Sequence, residues 1–361
     1  MKKVFVGLSG GVDSAVSAAL LKRAGYDVIG VFIKVWQPDW LECNWREDRR
    51  DAMRVAAHIG IPFITLDLEK EYKKGVIDYM LVEYSSGRTP NPDVMCNREV
   101  KFGAFWKWAK EHGADFIATG HYARVSTIKG SNKNESGLAL FAGIDSNKDQ
   151  SYFLWTLNQG DLRHVLFPVG HLVKPEVRKL AKRFKLPNAI KKDSQGLCFI
   201  GKVDLKGFLA HYIKTKEGKL LNEKGMVIGN HPGALFFTLG ERHGFTITTK
   251  SPNDEAYYVI AKDMKDNTVT VSNKRNDLST NSVTGLKINI SNTNWCKDTP
   301  RVGQMVSVRT RYRQPLIKAK IISVNDNNAT FEIKNTTDPI TPGQSLVAYD
   351  RGECLGGGVI C

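Results

Sequence analysis

The sequence predicts an α/β domain with a parallel sheet and helices on both faces, then a small mostly-β central domain and a C-terminal β-barrel. Strand and helix patterns alternate through residues 1–120, and strands separated by helices form parallel sheets that are buried on both faces. After about residue 202, short alternating strands with turn residues between them indicate a barrel or sandwich. The 361 residues suffice for three domains, which we expect at 1–201, 202–266 and 267–361.

The elements of the first domain follow from apolar runs and helical spacing. They are the strand Val4–Leu8, the helix Ala15–Ala24, the strand Val28–Ile33, the helix Arg46–Ile59, the strand Pro62–Leu68, the helix Glu69–Tyr84 and the strand Asp115–Thr119. Ligands of parallel sheets bind beyond the carboxyl ends of the strands. The turn at Ser9–Ser14, the residues after Ile33 and Gly120 all lie at those ends.

Later segments are shorter and more polar. The stretch Ser126–Ser136 predicts a hairpin tip or loop, and helices are expected at Pro175–Phe184 and Asp204–Thr215. Short strands are expected at Lys219–Val227, Phe236–Leu239, Phe245–Thr248 and Tyr257–Lys262.

The turn Ser9-Gly10-Gly11-Val12-Asp13-Ser14 joins the first strand to the first helix. Glycines allow close approach of a ligand, and the unpaired N–H groups of a helix start attract anions, so the turn suits a phosphate chain. The simpler alternative is a tight turn in which Asp13 or Ser14 caps the helix.

The complete string resembles the loop of the PP-loop ATP pyrophosphatases and is not a Walker A loop, because no Lys-Ser/Thr follows the glycines. That resemblance implies cleavage of ATP to AMP and pyrophosphate, with adenylation of a substrate oxygen.

Composition favours an anionic partner. The net charge is +15 and the isoelectric point about 9.4, which points to nucleic acid, although a basic solvated surface is the alternative. The N-terminus enters the first strand directly, and no apolar run is long enough to span a bilayer. We therefore expect a soluble, cytoplasmic protein without membrane contact.

Two of the six cysteines lie in distinctive loops. The cysteines form no C-x-x-C pair and no zinc pattern, so no metal site is expected. Cys96 follows a proline-stiffened loop, and a helix expected over Asn97–Lys110 would place it near a helix start, where a thiolate is stabilised. Asp93 could act as a base or orient this thiol. Cys198 lies between glycines, and for each cysteine the alternative is an inert buried thiol.

An ordered set of motifs resembles the tRNA-specific 2-thiouridylase family over essentially the whole chain. The set comprises Ser9–Ser14, Asn91-Pro92-Asp93 with Cys96, Ala118–Tyr122, Lys148–Leu154, the Cys198 loop, Arg311–Gln314 and Cys354–Gly358. The resemblance implies a PP-loop domain, a central domain and a C-terminal barrel. It also implies ATP-dependent thiolation at position two of the wobble uridine in lysine, glutamate and glutamine tRNAs.

The resemblance also implies a role for individual residues. ATP, accompanied by Mg²⁺, would contact Gly7, Leu8, Ser9, Gly10, Gly11, Val12, Asp13, Ser14, Ile33 and Gly120. Cys198 would carry a persulfide received from a cysteine desulfurase or a sulfur-relay protein, and Cys96 would attack it to leave a disulfide. The tRNA, with its target base flipped out, would contact Asn91, Pro92, Asp93, Lys148, Asp149, Gln150, Arg311 and Tyr312.

The barrel carries alternating basic residues. Arg309, Arg311 and Arg313 alternate, as do Lys318 and Lys320, so in strands each set would share one face that suits a phosphate backbone. A solvated sheet face is the alternative. The chain departs from the family pattern at Ile33, Val35 and Lys202, which leaves the adenine-side contact at Ile33 open.

Two alternative functions would account for part of these sequence features. A PP-loop amidating enzyme would use ATP in the same way but needs neither paired cysteines nor a basic barrel. A non-catalytic tRNA-binding protein would not need the intact Ser9–Ser14 loop.

Overall fold

The structure, a computed structural model, describes residues 1–41, 45–129, 136–193, 204–249, 255–274, 285–334 and 339–361. Its strands are β1 (Lys3–Gly7), β2 (Asp27–Lys34), β3 (Phe63–Asp67), β4 (Phe116–Ala118), β5 (Ala123–Lys129), β6 (Ser136–Ala142), β7 (Val165–Leu166), β8 (Gly218–Leu221), β9 (Val227–His231), β10 (Thr246–Ile247), β11 (Tyr258–Asp263), β12 (Thr268–Ser272), β13 (Leu286–Trp295), β14 (Met305–Arg309), β15 (Ile317–Val324), β16 (Asn328–Ile333), β17 (Ser345–Asp350) and β18 (Glu353–Ile360).

The helices alternate with the strands of the first sheet. They are α1 (Val12–Arg23), α2 (Trp45–Ile59), α3 (Glu69–Tyr72), α4 (Tyr79–Ser85), α5 (Pro92–Met95), α6 (Phe105–Glu111), α7 (Gln159–Leu162), α8 (Lys174–Arg183) and α9 (Leu205–Tyr212). Segments with π-type turns, Lys73–Asp78 and Cys96–Ala104, join α3 to α4 and α5 to α6. Among the described residues, no helix is both long and apolar enough to cross a membrane.

The first sheet is parallel, with the strand order β3-β2-β1-β4-β7. Successive residues of β1 face opposite helical layers, as the two-residue period of a strand requires. Phe5 packs in the core that contains Val100 and Phe105, whereas Val4 and Val6 pack with α1 and α2. The predicted parallel sheet with helices on both faces is confirmed.

The second sheet is the small middle unit, with the strand order β10-β9-β8-β12-β11. The single strand expected over Lys219–Val227 is wrong, because the chain turns between β8 and β9. Asn222 Oδ1 accepts hydrogen bonds from the N–H groups of Lys224 and Met226, and Gly225 has a φ of +76°. This Asn–Gly turn chemistry divides the run into a hairpin.

Other expectations for the middle unit have mixed outcomes. The expected strand at Phe236–Leu239 is also wrong, since a short 3₁₀ turn at Ala234–Phe236 precedes irregular backbone. The strands β10 and β11 and the helix α9 agree with prediction. Strand β12 also belongs to this sheet, so the middle unit extends past the expected boundary at residue 266.

The third sheet closes into the predicted C-terminal barrel through pairing of β13 with β18. The strands β5 and β6 form a hairpin, as expected around Ser126–Ser136, and β6 pairs with β18 through Glu353 and Cys354. Residues 130–135 at its tip lie outside the described residues. The barrel sheet therefore continues into a hairpin of the first domain.

The expected arginine face of the barrel is wrong. Strand β14 ends at Arg309, and Arg313 has a φ of +64° in the turn that follows, so the three arginines do not alternate along one strand. Lys318 and Lys320 do alternate with the buried Ala319 and Ile321 on β15 and are exposed. Only the lysines thus share an exposed sheet face in the predicted manner.

A buried ion pair joins the barrel to the first domain. Arg309 Nη1 donates to Asp149 Oδ2 at 2.8 Å, with 15% of the arginine side chain and 2% of the aspartate side chain exposed. The other oxygen of Asp149 accepts from the N–H groups of Gly143 and Ser151. Asp149, expected to contact tRNA, is thus fully engaged inside the protein.

We predict that Asp149→Asn lowers the free energy of unfolding by about 3–5 kcal/mol, because it leaves the Arg309 charge buried and uncompensated. Urea unfolding measures this. Adding Arg309→Met should restore part of the loss. Asp298→Asn is the control, since that side chain is 81% exposed beside Lys297 and should change stability by about 1 kcal/mol at most. Equal effects of Asp149→Asn and Asp298→Asn would contradict a structural role for the buried pair.

Candidate active site

The turn between β1 and α1 is shaped by close backbone contacts. Gly10 has a φ of +76°, and a Cβ atom there would lie 2.5 Å from the carbonyl oxygen of Asp48. A Cβ atom on Gly120 would lie 2.7 Å from the backbone nitrogen of Ser14. Gly11 differs, because its φ is −82° and the nearest atom to an added Cβ is Ser9 Oγ at 3.3 Å. Gly10 and Gly120 are needed for packing, whereas Gly11 borders open space.

The N-terminus of α1 is arranged to receive an anion. Its N-cap is Gly11, and among the described residues no side chain caps it, so the capping by Asp13 or Ser14 considered above is wrong. The Ser14 hydroxyl instead donates to the Gly11 carbonyl at 3.1 Å, and Asn188 Nδ2 donates to the Gly10 carbonyl at 3.0 Å. A braced turn with uncapped N–H groups is a phosphate-binding arrangement.

Lys174 brings a positive charge to this turn, and the sequence analysis did not single it out. Its Nζ lies 2.7 and 2.8 Å from the two carboxylate oxygens of Asp13, and 2.8 Å from Asp193 Oδ1. The Tyr122 hydroxyl also donates to Asp13, at 2.9 Å. Lys174 begins α8, some 160 residues after the turn. The helix predicted at Pro175–Phe184 was the only feature of the sequence that pointed to this region.

The carboxylate of Asp193 forms ion pairs with three basic side chains. Lys148 Nζ and Arg178 Nη2 each lie 2.6 Å from its carboxylate, in addition to Lys174. Burial alone would raise the pKa of Asp193, but the ammonium groups of Lys148 and Lys174 lower it to about 2. Asp193 is therefore anionic at neutral pH, and Lys148, expected to contact tRNA, pairs with it.

Cys96 lies one turn inside a helix rather than at its start. The helix begins at Pro92, with Asn91 as N-cap accepting from the Val94 N–H group at 3.4 Å. The start expected at Asn97 is therefore wrong, since Pro92 is tolerated in the first helical turn. Cys96 is fully buried. Cys198 and Cys43 lie outside the described residues, so the Cys96–Cys198 pairing stays a prediction.

The segments expected to contact tRNA converge beside this helix. Asn97 Nδ2 donates to the Phe153 carbonyl at 3.1 Å, and the Phe153 ring lies 4.4 Å from the Tyr312 ring, measured between centroids. Arg311 Nη2 donates to Leu239 O and Thr341 Oγ1, both at 2.7 Å. The structure thus brings together Asn97 on the helical segment after Asn91–Asp93, Phe153 just after Lys148–Gln150, and Tyr312.

The side chains of several residues expected to bind ligands are buried or hydrogen-bonded within the protein. Leu8, Val12 and Ile33 are buried in the core. The Leu8 N–H group donates to the Val31 carbonyl at 2.8 Å, which fixes the end of β1. Gln150 Oε1 accepts from the N–H group of Tyr122 at 3.0 Å, so its side chain supports the same region from inside.

His121 is buried and neutral. Its Nδ1 lies 2.7 Å from Thr119 Oγ1, and its Nε2 lies 3.5 Å from Lys101 Nζ. Burial, and secondly the ammonium of Lys101, lower its pKa well below 6.5. An ammonium can only donate, so we assign the ring proton to Nδ1.

Comparisons with known proteins match the full length of the chain. Three family models match successive parts: a tRNA methyl transferase HUP domain at residues 2–202, a tRNA methyl transferase PRC-barrel domain at 206–273 and an aminomethyltransferase beta-barrel domain at 286–360. A tRNA-specific 2-thiouridylase MnmA from Lacticaseibacillus paracasei is 44% identical, over 99% of this chain and 94% of that protein. The MnmA of Enterococcus faecalis is 43% identical, over 99% and 95%.

The two glycines of the turn give a matched pair of predictions. Gly11→Val should fold normally but lose ATP binding and AMP formation, because its side chain enters the space at the helix start. Gly10→Ala should instead lower the free energy of unfolding by about 1–3 kcal/mol, because of its positive φ and the Asp48 contact. Calorimetric ATP titration and thermal unfolding measure the two effects. A folded Gly11→Val protein that releases AMP normally would exclude this turn as the phosphate site.

Because His121 is buried and neutral, we expect the free energy of unfolding to depend on pH. In the unfolded chain its imidazole is protonated below about pH 6.5, whereas in the folded state it stays neutral, so stability falls as pH falls through that value. By pH 5.5 this loss is about 1 kcal/mol, and it should be absent in His121→Gln. Urea unfolding of both proteins at pH 7.5 and 5.5 measures the difference, and parallel losses would show that His121 is protonated in the folded state.

Proposed function

This chain belongs to the tRNA-specific 2-thiouridylase family, which thiolates tRNA with the use of ATP, and we propose that its target is the wobble uridine, that Cys198 carries the sulfur as a persulfide and that Cys96 attacks Cys198 to release the product. The observation that carries the proposal is the braced, uncapped turn at Gly11 in a chain that matches the family throughout. The matching family models are described as methyl transferase domains, but a phosphate-binding turn suits ATP rather than a methyl donor.

The turn fits the phosphates of ATP. The helix N–H groups, the Ser9 hydroxyl and the space beside Gly11 form the cradle, and Lys174 is close enough to exchange its contact with Asp13 for a phosphate oxygen. Mg²⁺, bound through the phosphates, would spread their charge. Gly7 through Ser14, with Ile33 and Gly120, thus remain our proposed nucleotide contacts.

Adenylation solves the chemical difficulty of the reaction. The C2 oxygen of uridine is a poor leaving group. Its attack on the α-phosphate of ATP would release pyrophosphate and give an O-adenylated uridine, in which AMP is the leaving group. Sulfur can then displace AMP at C2. Backbone donors and the Lys174 ammonium would stabilise the negative charge that develops on the phosphate.

The sulfur step needs two thiols. The terminal sulfur of a Cys198 persulfide, supplied by a cysteine desulfurase or a relay protein, would attack C2 as AMP leaves. The Cys96 thiolate would then attack the Cys198 sulfur, which releases thiolated tRNA and forms a Cys96–Cys198 disulfide. A cellular dithiol would reduce this disulfide by two electrons for the next cycle. Because Cys96 is buried, its attack requires a rearrangement around it.

The tRNA would lie across the converging segments. Asn91, Pro92 and Asp93 would contact the flipped base, and Asp93 would serve as base or orienting group for Cys96. We propose Lys148, Asp149, Gln150, Arg311 and Tyr312 as supports or contacts of the tRNA, and the three expected domains as its framework, with the boundary expected at residue 266 moved to the end of β12.

Mass spectrometry of tRNA from cells that lack the gene tests the function. Loss of 2-thiouridine, restored by the wild-type gene but not by Gly11→Val, is expected. Unchanged 2-thiouridine together with a missing amide product would instead identify a PP-loop amidating enzyme.

The two cysteines should behave differently on mutation. Cys198→Ser should hold no transferable persulfide, whereas Cys96→Ser should accept persulfide but stall before release, and both should bind ATP and tRNA. Cys361→Ser is the control, because that residue is exposed at the end of the barrel. Persulfide labelling and peptide mapping after one turnover without reductant measure these states. Full thiolation by either variant would remove that cysteine from the mechanism.

A further inference from the structure

An exposed aromatic stack lies beside the first sheet. The rings of Trp40 and His211 are stacked, with centroids 4.1 Å apart and planes at 21°. Trp40 and Tyr212 are 42% and 40% exposed. Phe208 is only 1% exposed and lies 5.8 Å from Trp40 and 5.2 Å from Tyr212 between ring centroids. We call Trp40, His211 and Tyr212 the Trp40 platform, which rests on the buried Phe208.

The platform lies at the edge of the sheet that carries the phosphate turn. Trp40 follows β2, whose carboxyl end at Lys34 is next to the carboxyl end of β1, since Gly7 pairs with Val31 in parallel register. The substrate must reach this edge to meet ATP. The aromatic rings of the platform are therefore on the side of the molecule where the tRNA is modified.

Lysine side chains lie near the platform. Lys73 Nζ lies 5.7 Å from the ring centroid of Trp36, whose ring also contacts Tyr212. Lys73 and Lys74 on the adjoining segment and Lys214 and Lys216 after Tyr212 are exposed, as are the carboxylates of Asp39, Glu71, Asp78 and Glu217. Flat aromatic faces together with cationic side chains are typical of surfaces that bind unpaired nucleotides.

We propose that the Trp40 platform stacks an unpaired base of the anticodon loop, next to the uridine that is thiolated. This inference rests on tRNA being the substrate and adds a contact that none of the motifs above contains. A flipped wobble uridine leaves a gap in the loop stack, and an aromatic face offers the neighbouring base a replacement surface. The flat stack and its lysines favour a nucleic acid over a protein sulfur donor as the occupant.

Equilibrium binding of an unmodified tRNA transcript tests the platform. Trp40→Ala should weaken binding by about tenfold or more, whereas Trp40→Phe should retain most of the affinity. The dependence of affinity on salt should not change, because no phosphate contact is lost. Trp106→Ala is the matched control, since Trp106 forms the same kind of stack with His164, at 4.5 Å, near the amino ends of β4 and β7.

A second tRNA, which lacks bases in the anticodon loop, distinguishes loss of base stacking from other causes of weaker binding. A tRNA with abasic sites in the anticodon loop should bind the wild type less tightly, and Trp40→Ala should then cause little further loss. Thermal unfolding and ATP binding confirm that the variants are folded. Wild-type affinity of Trp40→Ala, or an equal loss on both tRNAs, would overturn the proposal. So would a Trp40→Ala protein that binds tRNA normally but no longer accepts sulfur from its donor. None of these outcomes would affect the thiolation assignment, which the cellular tRNA analysis decides separately.

Discussion

The contact on which the site depends is the ammonium of Lys174 between the carboxylates of Asp13 and Asp193. It ties the start of α1 to the start of α8 and to the end of the described segment at Asp193. One cation cannot neutralise two anions, and Lys148 and Arg178 supply the remaining charge at Asp193. If Lys174 moves to a phosphate chain that reaches the turn, Asp193 remains paired with Lys148 and Arg178, and Asp13 keeps the hydrogen bond from the Tyr122 hydroxyl.

The residues that the family resemblance connects with tRNA are likewise held by contacts within the protein. Asp149, Gln150 and Arg311 all have internal hydrogen bonds, to Arg309, to the Tyr122 backbone and to Thr341. A substitution at any of them disturbs the shape of the site before it removes a contact with RNA. When variants of these residues are tested for tRNA binding, their stability must therefore be measured as well. The exposed side chains of the Trp40 platform allow direct contact with tRNA to be tested with less disturbance of the fold.

The sequence was most informative where one physical pattern dominates. Apolar runs and helical periodicity located the parallel sheet, and the glycine string located the phosphate turn. Two of the errors share a cause, since alternation was extended through residues that end a strand: Asn222 and Gly225 turn the chain between β8 and β9, and the turn at Arg313 ends the arginine series. Lys174 could not be recognised locally, because its role depends on a carboxylate 161 residues away. The helix start at Pro92 was missed because the segment up to Cys96 was taken as a proline-stiffened loop, although proline is tolerated in the first helical turn.

The contacts between the C-terminal barrel and the first domain limit how these two parts can move relative to each other. Strand β6 pairs with β18, the Asp149–Arg309 pair is buried, and Asn294 Nδ2 donates to the carbonyls of Trp155 and Leu157 at 2.8 and 3.1 Å. Breaking these contacts exposes buried charge and unpaired backbone groups, so the barrel holds its place relative to the phosphate turn. The distance between the barrel and the phosphate turn is therefore fixed. The rearrangement that buried Cys96 needs must then occur locally around its helix, and not by separation of barrel and sheet.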